Sequence, residues 1–225
     1  MLPKYSFFRR RRLNQYFRCL SANCFDGIMA DYFNFYEFTW LNRWLRKGVI
    51  TLSLKKNEVA NAEQLKDRIR TLLDADADLY REYRRIHRIL FVLPEAARSK
   101  YIEARQGGGD HAKLVLVNHC LHQLPSGNIA GYGAAWAVAL SRIGRAKGWL
   151  TAEEAWQYKL AAARFAQSCY DSWGEFFIAH SIGSLFSQPN PKLKETLLVT
   201  GMVSLMEGSS LLYRKAKWDM NLEPD

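Results

Sequence analysis

Two helix-start signatures, 21 residues apart, constrain the fold more strongly than any other feature of this sequence. They are the runs Thr151-Ala152-Glu153-Glu154 and Ser172-Trp173-Gly174-Glu175. In a capping box of this kind, the hydroxyl accepts a hydrogen bond from the backbone N–H three residues on, and the glutamate accepts one from the N–H of the capping residue. The two runs therefore predict one long helix that reaches Tyr170 and a second helix that reaches about Phe186.

Most of the remaining chain also has the periodicity of helices, and we predict an all-α fold, a compact multi-helix domain. A stretch dense in aromatic residues, 26–46, is long enough to favour a helix as well. Gly148 has the position of a C-terminal cap. The other predicted helices are 61–73, 76–93, 111–124, 128–147 and 192–206.

One segment departs from this helical pattern. Residues 49–54 alternate in polarity and include β-branched side chains. Period-2 alternation of this kind is typical of strands. We therefore expect one short extended or β segment there.

Positive charge is concentrated in the first half of the chain. The protein has 225 residues and a formal net charge of +10. Up to Arg105 it has 21 Lys and Arg against 12 Asp and Glu, whereas the rest has 11 against 10. Such asymmetry is typical of a protein that contacts something anionic: nucleic acid, a phospholipid surface or an acidic protein.

Three consecutive glycines, Gly107-Gly108-Gly109, separate the basic part of the chain from the neutral part. Consecutive glycines supply backbone flexibility and are typical of linkers. A phosphate-binding loop would also need a preceding strand and a following Lys-Ser or Lys-Thr pair, which the sequence lacks. We place a basic, aromatic-rich helical region at 1–106 and a second helical region at 110–225, together in one globular unit.

Cysteine usage and hydropathy predict a cytoplasmic protein without a transmembrane segment. The four cysteines include no zinc-like C-x2-C pair, and a chain of this length has little need of disulfides, so we expect reduced thiols. The longest uncharged run, 114–141, contains Asn, His, Gln and Pro residues that a spanning helix does not tolerate. The arginines from Arg9 to Arg12 are not followed by the apolar stretch of an export signal.

Several short motifs between residues 131 and 186 carry a family resemblance. They are Ala135-Trp136 with Arg142, the run Gly148-Trp149-Leu150-Thr151-Ala152-Glu153-Glu154-Ala155-Trp156, the triplet Ala162-Ala163-Arg164, the run Tyr170-Asp171-Ser172-Trp173-Gly174-Glu175-Phe176, and Gly183. On these residues the chain resembles the YbeU/YbeR-like proteins, an uncharacterised bacterial family with domain of unknown function 1266. The resemblance implies an α-helical domain and brings no established activity. It also leads us to expect an aspartate where this chain has Ala137, so a family site that used that carboxylate would be impaired here.

The resembling region supplies one candidate pocket, whose members are Arg142, Glu153, Ser172, Trp173 and Glu175. In a catalytic interpretation, Trp173 stacks on a ligand and Glu175 acts as acid or base. In the structural interpretation, which we favour, Ser172 and Glu175 cap a helix and Trp173 anchors the core. Arg142 either binds a phosphate or, as we favour, pairs with a glutamate, because a buried arginine demands such a partner.

A row of arginines forms the candidate surface for an anionic partner. Its members recur at spacings that place them on one face of the predicted helix 76–93: Arg81, Arg84, Arg85 and Arg88. Together with Arg9 to Arg12, they would bind an acidic protein or another anionic surface. The alternative is a solvated stripe that Asp78 and Glu82 partly neutralise.

We assign no catalytic residue, no metal and no cofactor from the sequence, and enzymatic activity stays undecided. His119 and His122 share a helix face, with His111 about two turns earlier, but they lack an H-E-x-x-H pattern and a third ligand. Cys120 is more typical of a small buried apolar residue than of an activated thiol.

The charge asymmetry and the lack of a catalytic motif favour a non-enzymatic protein-interaction or regulatory module with a basic N-terminal surface. One alternative is an enzyme that acts on nucleotides or nucleic acid in bacterial conflict or stress. The other is a direct nucleic-acid binder, whose arginines contact phosphates and whose aromatic residues stack on bases.

Overall fold

The computed structural model describes residues 5–25, 32, 33, 36–38, 43–124, 129–188 and 216–224. Within these ranges the protein is all-α, as predicted, and contains no β-strand. The predicted helix 192–206 lies outside the described residues, as does much of the aromatic stretch 26–46. A 3₁₀ turn, Ala22–Cys24, follows the first of the α-helices, which are α1 Phe7–Leu20, α2 Arg43–Lys56, α3 Ala62–Leu73, α4 Asp78–Phe91, α5 Glu95–Glu103, α6 His111–His119, α7 Ala130–Lys147, α8 Ala152–Cys169 and α9 Trp173–Ser187.

Residues 49–54 belong to α2, so the predicted extended segment is wrong. The buried side chains here are Ile50, Ser53, Leu54 and Asn57. Their spacing of three and four residues is that of one helix face, whereas a half-buried strand buries every second residue. Ser53, which counts as polar in the alternating pattern, is itself buried in the helix.

The structure confirms the first capping box and modifies the second. Thr151 Oγ1 accepts a hydrogen bond from Glu154 N–H at 3.1 Å, and Glu154 Oε2 accepts one from Thr151 N–H at 2.8 Å. Ser172 Oγ likewise accepts from Glu175 N–H at 3.2 Å. Glu175 Oε2, however, accepts from the N–H of Asp171 at 2.8 Å, one residue before the cap. Both helices still begin where the sequence predicts.

Two helix ends test the predicted C-terminal boundaries. Gly148 caps α7 in the left-handed conformation with φ 74°, which confirms the prediction. Helix α6, in contrast, ends at His119 and not at residue 124. The backbone N–H of Cys120 still bonds to Leu116 O, and the residues after it form turns.

The core is built around α7, which is buried on all sides. Each of its residues from Ala130 to Gly144 is buried. Helices α8, α3 and α9 make its most extensive contacts, and α1 and α2 make smaller ones. A helix that is surrounded in this way is apolar on nearly every face, and its buried polar residues are Ser141 and Arg142. Its many alanines and glycines let the neighbouring backbones come close.

Neighbouring helices approach the backbone of α7 more closely at Gly133 than at Gly131 or Gly144. An added Cβ atom at Gly133 would lie 1.7 Å from Tyr80 Oη and 2.2 Å from the backbone oxygen of Leu72. These two atoms are joined by a hydrogen bond of 2.7 Å from Tyr80 Oη to Leu72 O. The bond links α4 to α3 directly over the glycine, so the three helices meet at this point.

The C-terminal residues 216–224 lie against α1, α8 and α9. The backbone oxygen of Trp218 accepts hydrogen bonds from Tyr16 Oη at 3.1 Å and from Gln167 Nε2 at 2.7 Å. The indole Nε1–H of Trp218 donates to Tyr170 O at 2.8 Å. This segment therefore ties the first helix to the last described ones.

Two further expectations concern a transmembrane segment and the state of the cysteine thiols. Among the described residues, no helix combines the length and the apolar character needed to cross a bilayer. The cysteines at 19, 24, 120 and 169 are thiols, and no disulfide joins them in the described structure.

The Gly133 contact predicts a large cost for a small substitution. Alanine is normally a better helix former than glycine by about 1 kcal/mol. At Gly133 we expect the opposite sign, a loss of about 2–3 kcal/mol in the free energy of unfolding, because the new Cβ overlaps a backbone oxygen that cannot swing away. Urea unfolding of the Gly133→Ala variant measures this loss.

The matched control is Gly109→Ala, where no atom lies within 4 Å of the added Cβ and φ is not positive. Its unfolding midpoint should stay close to that of the wild type. Equal midpoints for the Gly133→Ala variant and the wild type would contradict the close approach of the three helices.

His180 on α9 is a buried titratable group. Its Nε2–H donates to Asn23 O at 3.2 Å, and its Nδ1 atom is buried without a hydrogen-bond partner among the described residues. Burial lowers the pKa of His180 to about 4, the bond to Asn23 opposes the shift, and the charge of Lys56 adds to it. The imidazole is therefore neutral in the folded protein at pH 7.

This pKa predicts acid sensitivity between about pH 6.5 and pH 4. In that window the unfolded chain takes up a proton on His180 that the folded protein does not, so stability falls as the pH is lowered. The loss from this one group is about 3 kcal/mol, because each pKa unit corresponds to about 1.4 kcal/mol. Denaturant titrations of the wild type and of His180→Gln should diverge over this range, whereas parallel pH profiles would refute the assignment.

Candidate functional site

Arg142 lies on α7 with its charged guanidinium buried in the core. Its Nη1 donates to Ser21 Oγ at 2.8 Å, and its Nη2 donates to Phe33 O at 2.6 Å and Tyr36 O at 3.0 Å. Its Nε donates to Glu37 Oε2 at 3.2 Å. The guanidinium of Arg142 thus donates hydrogen bonds to four residues that follow α1 in the chain and holds them against α7.

Two aromatic rings border the same guanidinium. The Cζ atom of Arg142 lies 5.6 Å from the ring centroid of Phe25 and 5.2 Å from that of Phe38. A cation at this distance from an aromatic face is attracted by the ring quadrupole, most strongly where water is excluded. The rings therefore offset part of the cost of burying the charge.

Glu37 is the anionic partner of Arg142, and its side chain is 35% exposed. Burial raises the pKa of Glu37, but the positive charges of Arg142, Lys159 and Arg18 and the hydrogen bond from Arg142 outweigh burial and bring the pKa below its usual value. Glu37 is therefore ionised at pH 7. The charges of three cations therefore act on this carboxylate, and Arg142 is the one in direct contact with it among the described residues.

Lys159 is the second cation, on α8. Its Nζ donates to Asn14 Oδ1 at 3.2 Å and lies 5.1 Å from the ring centroid of Phe17 and 5.2 Å from that of Trp156. Burial lowers the pKa of Lys159 to about 8, although Glu37 opposes the shift. Nearby arginines lower this pKa further, because like charges disfavour the protonated amine.

Arg18 on α1 is the third cation and is half-buried. Burial lowers the pKa of Arg18, Glu37 raises it, and Arg142 and Arg11 lower it again. Its Nε atom is buried and has no hydrogen-bond partner among the residues that the structure describes. We call Arg18, Glu37, Arg142 and Lys159 the Arg142 cluster. It holds three cations and one carboxylate.

The sequence contained one indication of this cluster that was missed. Lys159 follows Ala155 and Trp156 by one helical turn, and both of these residues are buried. A lysine on the apolar face of an amphipathic helix points to a buried charge. Nothing in the local sequence connects Lys159 to Arg18 or to Glu37, because the three residues come from separate segments.

The structure distributes the members of the candidate pocket over separate contacts. Arg142 pairs with Glu37 and not with Glu153, which is exposed at the start of α8. Ser172 and Glu175 bond to the backbone at the start of α9. The predicted arginine–glutamate pair therefore exists with a different glutamate, 105 residues away.

Trp173 packs within an aromatic cluster. Its ring lies 5.1 Å from Tyr16, 5.6 Å from Phe177 and 5.0 Å from Trp218 between centroids. Its indole Nε1–H donates to Ala216 O at 2.7 Å. These contacts are those of a core anchor, the structural interpretation of this residue.

The arginine row of the sequence lies on α4, on the side opposite the buried residues Tyr80, Tyr83, Ile86 and Leu90. Three of its arginines have acidic partners. Arg81 pairs with Asp78, Arg84 Nη2 lies 3.1 Å from Asp76 Oδ1, and Arg85 Nη2 lies 3.6 Å from Asp110 Oδ2. No acidic partner is recorded for Arg88 in the described structure. The row is thus more neutralised than the sequence suggested.

The arginines of α1 differ in this respect. Arg10, Arg11 and Arg12 are exposed, and no acidic residue in the described ranges forms an ion pair with them. The Cζ atom of Arg10 lies 5.3 Å from the ring centroid of Trp156. The two residues at the start of the helix, Phe7 and Phe8, are each 75% exposed.

The histidines considered as metal ligands do not form a metal-binding group with other residues that the structure describes. Over those ranges, no set of three or more His, Cys, Asp or Glu side chains is arranged to hold a metal ion. His111 and His119 delimit α6, and His122 contacts the ring of Phe91 at 6.1 Å between centroids.

A family model described as "Protein of unknown function (DUF1266)" matches residues 55–218, which is more than half of the chain. The match includes the whole stretch 131–186 and confirms the predicted resemblance. The finer YbeU/YbeR-like grouping is not part of the match and stays a prediction. No curated protein and no solved structure matches the chain.

The bonds of Arg142 predict that its removal is costly. In the Arg142→Met variant, Glu37 and two backbone oxygens lose their donors in a mostly buried region, and breaking a buried pair in this way costs about 3–5 kcal/mol of unfolding free energy. Because Glu37 is partly exposed, we expect the lower end of this range. Chemical denaturation measures the change.

Arg164→Met is the matched control, since Arg164 lies on α8 and pairs with Glu223 at 3.1 Å on the exposed surface. Exposed pairs contribute less than about 1 kcal/mol. If the Arg142→Met and Arg164→Met variants both lost less than about 1 kcal/mol of unfolding free energy, Arg142 would not organise the core.

Proposed function

Since this chain belongs to the DUF1266 family of proteins of unknown function, we propose its function from its own charges and contacts: a non-enzymatic protein-interaction module that binds an acidic partner. The proposed contact is the α1 surface, formed by Phe7, Phe8, Arg10, Arg11 and Arg12. The partner is an acidic segment of another protein.

The observation that carries the proposal is the unpaired charge of Arg10, Arg11 and Arg12. These residues are exposed within one turn of a helix, without an acidic partner in the described chain. Their neighbours Leu13 and Phe17 are fully buried, so the helix itself is anchored in the core. An anchored helix presents its charges in fixed positions, and complementary charge then accelerates and orients association.

The exposed rings of Phe7 and Phe8 favour a protein partner. The two side chains lie at the N-terminal end of α1, next to the arginines. Aromatic residues and arginine are the types enriched at the centres of protein interfaces, where aromatic side chains supply buried apolar area. An acidic segment with apolar residues would match both features.

The arginine row of α4 is proposed as a weaker contact for the same kind of partner. Arg81, Arg84 and Arg85 already interact with aspartates, and those exposed pairs would have to exchange one partner for another. Arg88 contributes charge without such an exchange. We therefore assign the α4 row a smaller share of binding than the α1 surface.

Direct nucleic-acid binding is the second candidate, and the same two phenylalanines favour it. Bases stack on exposed aromatic rings while arginines contact the phosphates. Such binding weakens steeply with added salt, by an amount set by the number of phosphates contacted. The salt dependence therefore separates this candidate from a partner that also buries apolar surface.

The test uses the full chain and fluorescently labelled poly-L-glutamate as the acidic probe. The triple variant Arg10→Gln, Arg11→Gln, Arg12→Gln should bind at least about tenfold more weakly at low salt, because three charge contacts are removed. The variant in which all four arginines of the α4 row are replaced by Gln should lose less affinity for the probe. Fluorescence anisotropy gives the affinities.

The control removes three cations elsewhere, in Arg98→Gln, Lys100→Gln, Arg105→Gln, and keeps the net charge equal to that of the α1 triple variant. Equal affinities of the two triple variants would refute the α1 surface. A parallel titration with random duplex DNA decides between the candidates: tighter binding of DNA than of polyglutamate at 150 mM salt would favour nucleic acid and overturn the protein-partner proposal.

A further inference from the structure

The geometry points to a peptide-binding groove between α1, α8 and α9 that accepts the C-terminal segment, residues 216–224, from a second copy of this chain. In the structure, the groove holds the chain's own segment. Among the described residues, no hydrogen bond, ion pair or ring contact joins the α1 surface to this segment. The groove is therefore separate from the contact proposed for an acidic partner.

The burial pattern of the C-terminal segment is the first argument. Four alternate side chains are buried or half-buried: Ala216, Trp218, Met220 and Leu222. The residues between them are exposed, and the segment belongs to no helix or strand. Alternate side chains that face a groove give specificity when a protein recognises a linear peptide. The three helices thus recognise a small residue, a tryptophan, a methionine and a leucine at intervals of two.

The second argument is the way in which the segment's backbone is held. Gln167 Nε2 on α8 donates to Trp218 O at 2.7 Å and to Met220 O at 3.0 Å. Tyr5 Oη donates to Leu222 O at 2.9 Å. In the described part of the chain, no backbone–backbone hydrogen bond links the segment to a helix. Side chains alone therefore bind the carbonyl groups of the segment, as they would bind those of a separate peptide.

Trp218 anchors the segment in the groove. Its ring lies 5.0 Å from that of Trp173 and 5.6 Å from that of Phe176 between centroids, and its indole N–H donates to Tyr170 O at 2.8 Å. The indole N–H of Trp173 in turn donates to Ala216 O at 2.7 Å. A tryptophan that packs among aromatic rings and satisfies its N–H is typical of an interface hot spot. Loss of the Trp218 side chain should therefore empty the groove.

A second copy carries the matching segment and can supply it without new contacts. The same hydrogen bonds and ring contacts form whichever chain the segment comes from, which makes exchange of an identical element a low-cost route to dimers. Residues 188–215 separate α9 from the segment. Because each residue adds up to about 3.3 Å of reach, a connection of this length can extend to a neighbouring molecule.

The test mixes two full-length variants, each of which lacks one half of the contact. Trp218→Ala removes the anchor and leaves its groove empty. Gln167→Glu replaces the amide donor by a carboxylate, which repels the two carbonyl oxygens that Gln167 binds and releases that chain's intact segment. Each variant alone should be a monomer. An equimolar mixture, at about 100 μM of each chain and thus below the effective concentration of a tethered segment, should form a dimer of close to twice 26.0 kDa by light scattering.

Two matched controls keep the contact intact within one chain. Gln157→Glu makes the same change at an exposed position of α8, and Lys217→Ala truncates an exposed residue of the segment. The mixture of Trp218→Ala with Gln157→Glu offers an empty groove but no released segment. The mixture of Lys217→Ala with Gln167→Glu offers a released segment but no empty groove. Both control mixtures should stay mainly monomeric, and as much dimer in them as in the test mixture would overturn the proposal.

A test mixture that stays monomeric would also overturn the proposal, provided that both variants are folded. Far-UV circular dichroism and thermal melting establish the fold. If Trp218→Ala loses its helical spectrum, Leu222→Ala takes its place, since it truncates a buried side chain away from the aromatic rings around Trp218.

A labelled peptide of residues 216–224 identifies the source of the occupant. Trp218→Ala should bind it at least about tenfold more tightly than the wild type, whose own segment competes as an intramolecular ligand. Gln167→Glu should not bind it. Peptide binding by Trp218→Ala without a dimer in the test mixture would assign the groove to a peptide from another protein and overturn the exchange between copies.

Discussion

The buried guanidinium of Arg142 is the interaction on which the rest of the structure depends. It extends from the central helix α7 and bonds to Ser21, to two backbone oxygens at 33 and 36, and to Glu37. A charge in a dry interior is tolerated only when its donors are satisfied. The chain after α1 therefore has to pass close to α7, and this contact places the basic helix α1 at the edge of the core.

Close packing around α7 supplies the second constraint. Gly133 lets the bond between Tyr80 and Leu72 lie across the helix, so that α3, α4 and α7 meet without a side chain between them. In the C-terminal segment, the backbone oxygen of Trp218 ties α1 to α8 through Tyr16 and Gln167. Interiors packed to this density transmit local changes.

The distribution of charge follows from this arrangement. On α4, aspartates near the arginine row neutralise most of it, and Lys66 pairs with Glu154 at 2.7 Å across α3 and α8. Helices α1 and α2 each carry five basic residues and no acidic one, and on α1 the row Arg10 to Arg12 is exposed. Since family membership supplies no activity, the positive charge is a feature that a function has to explain, and the exposed arginines of α1 motivate the protein-partner proposal.

The sequence by itself determined the helical class, the starts of α8 and α9, the cap at Gly148 and the exposed face of α4. These features depend on hydrogen bonds and side-chain spacing within about one or two turns, which local sequence specifies. Only the tertiary structure decided that Glu37 is the partner of Arg142, that Lys159 lies near Glu37, and that residues 49–54 are helical. These outcomes depend on contacts between segments as much as 105 residues apart and on which helix face meets the core, and no local periodicity encodes either.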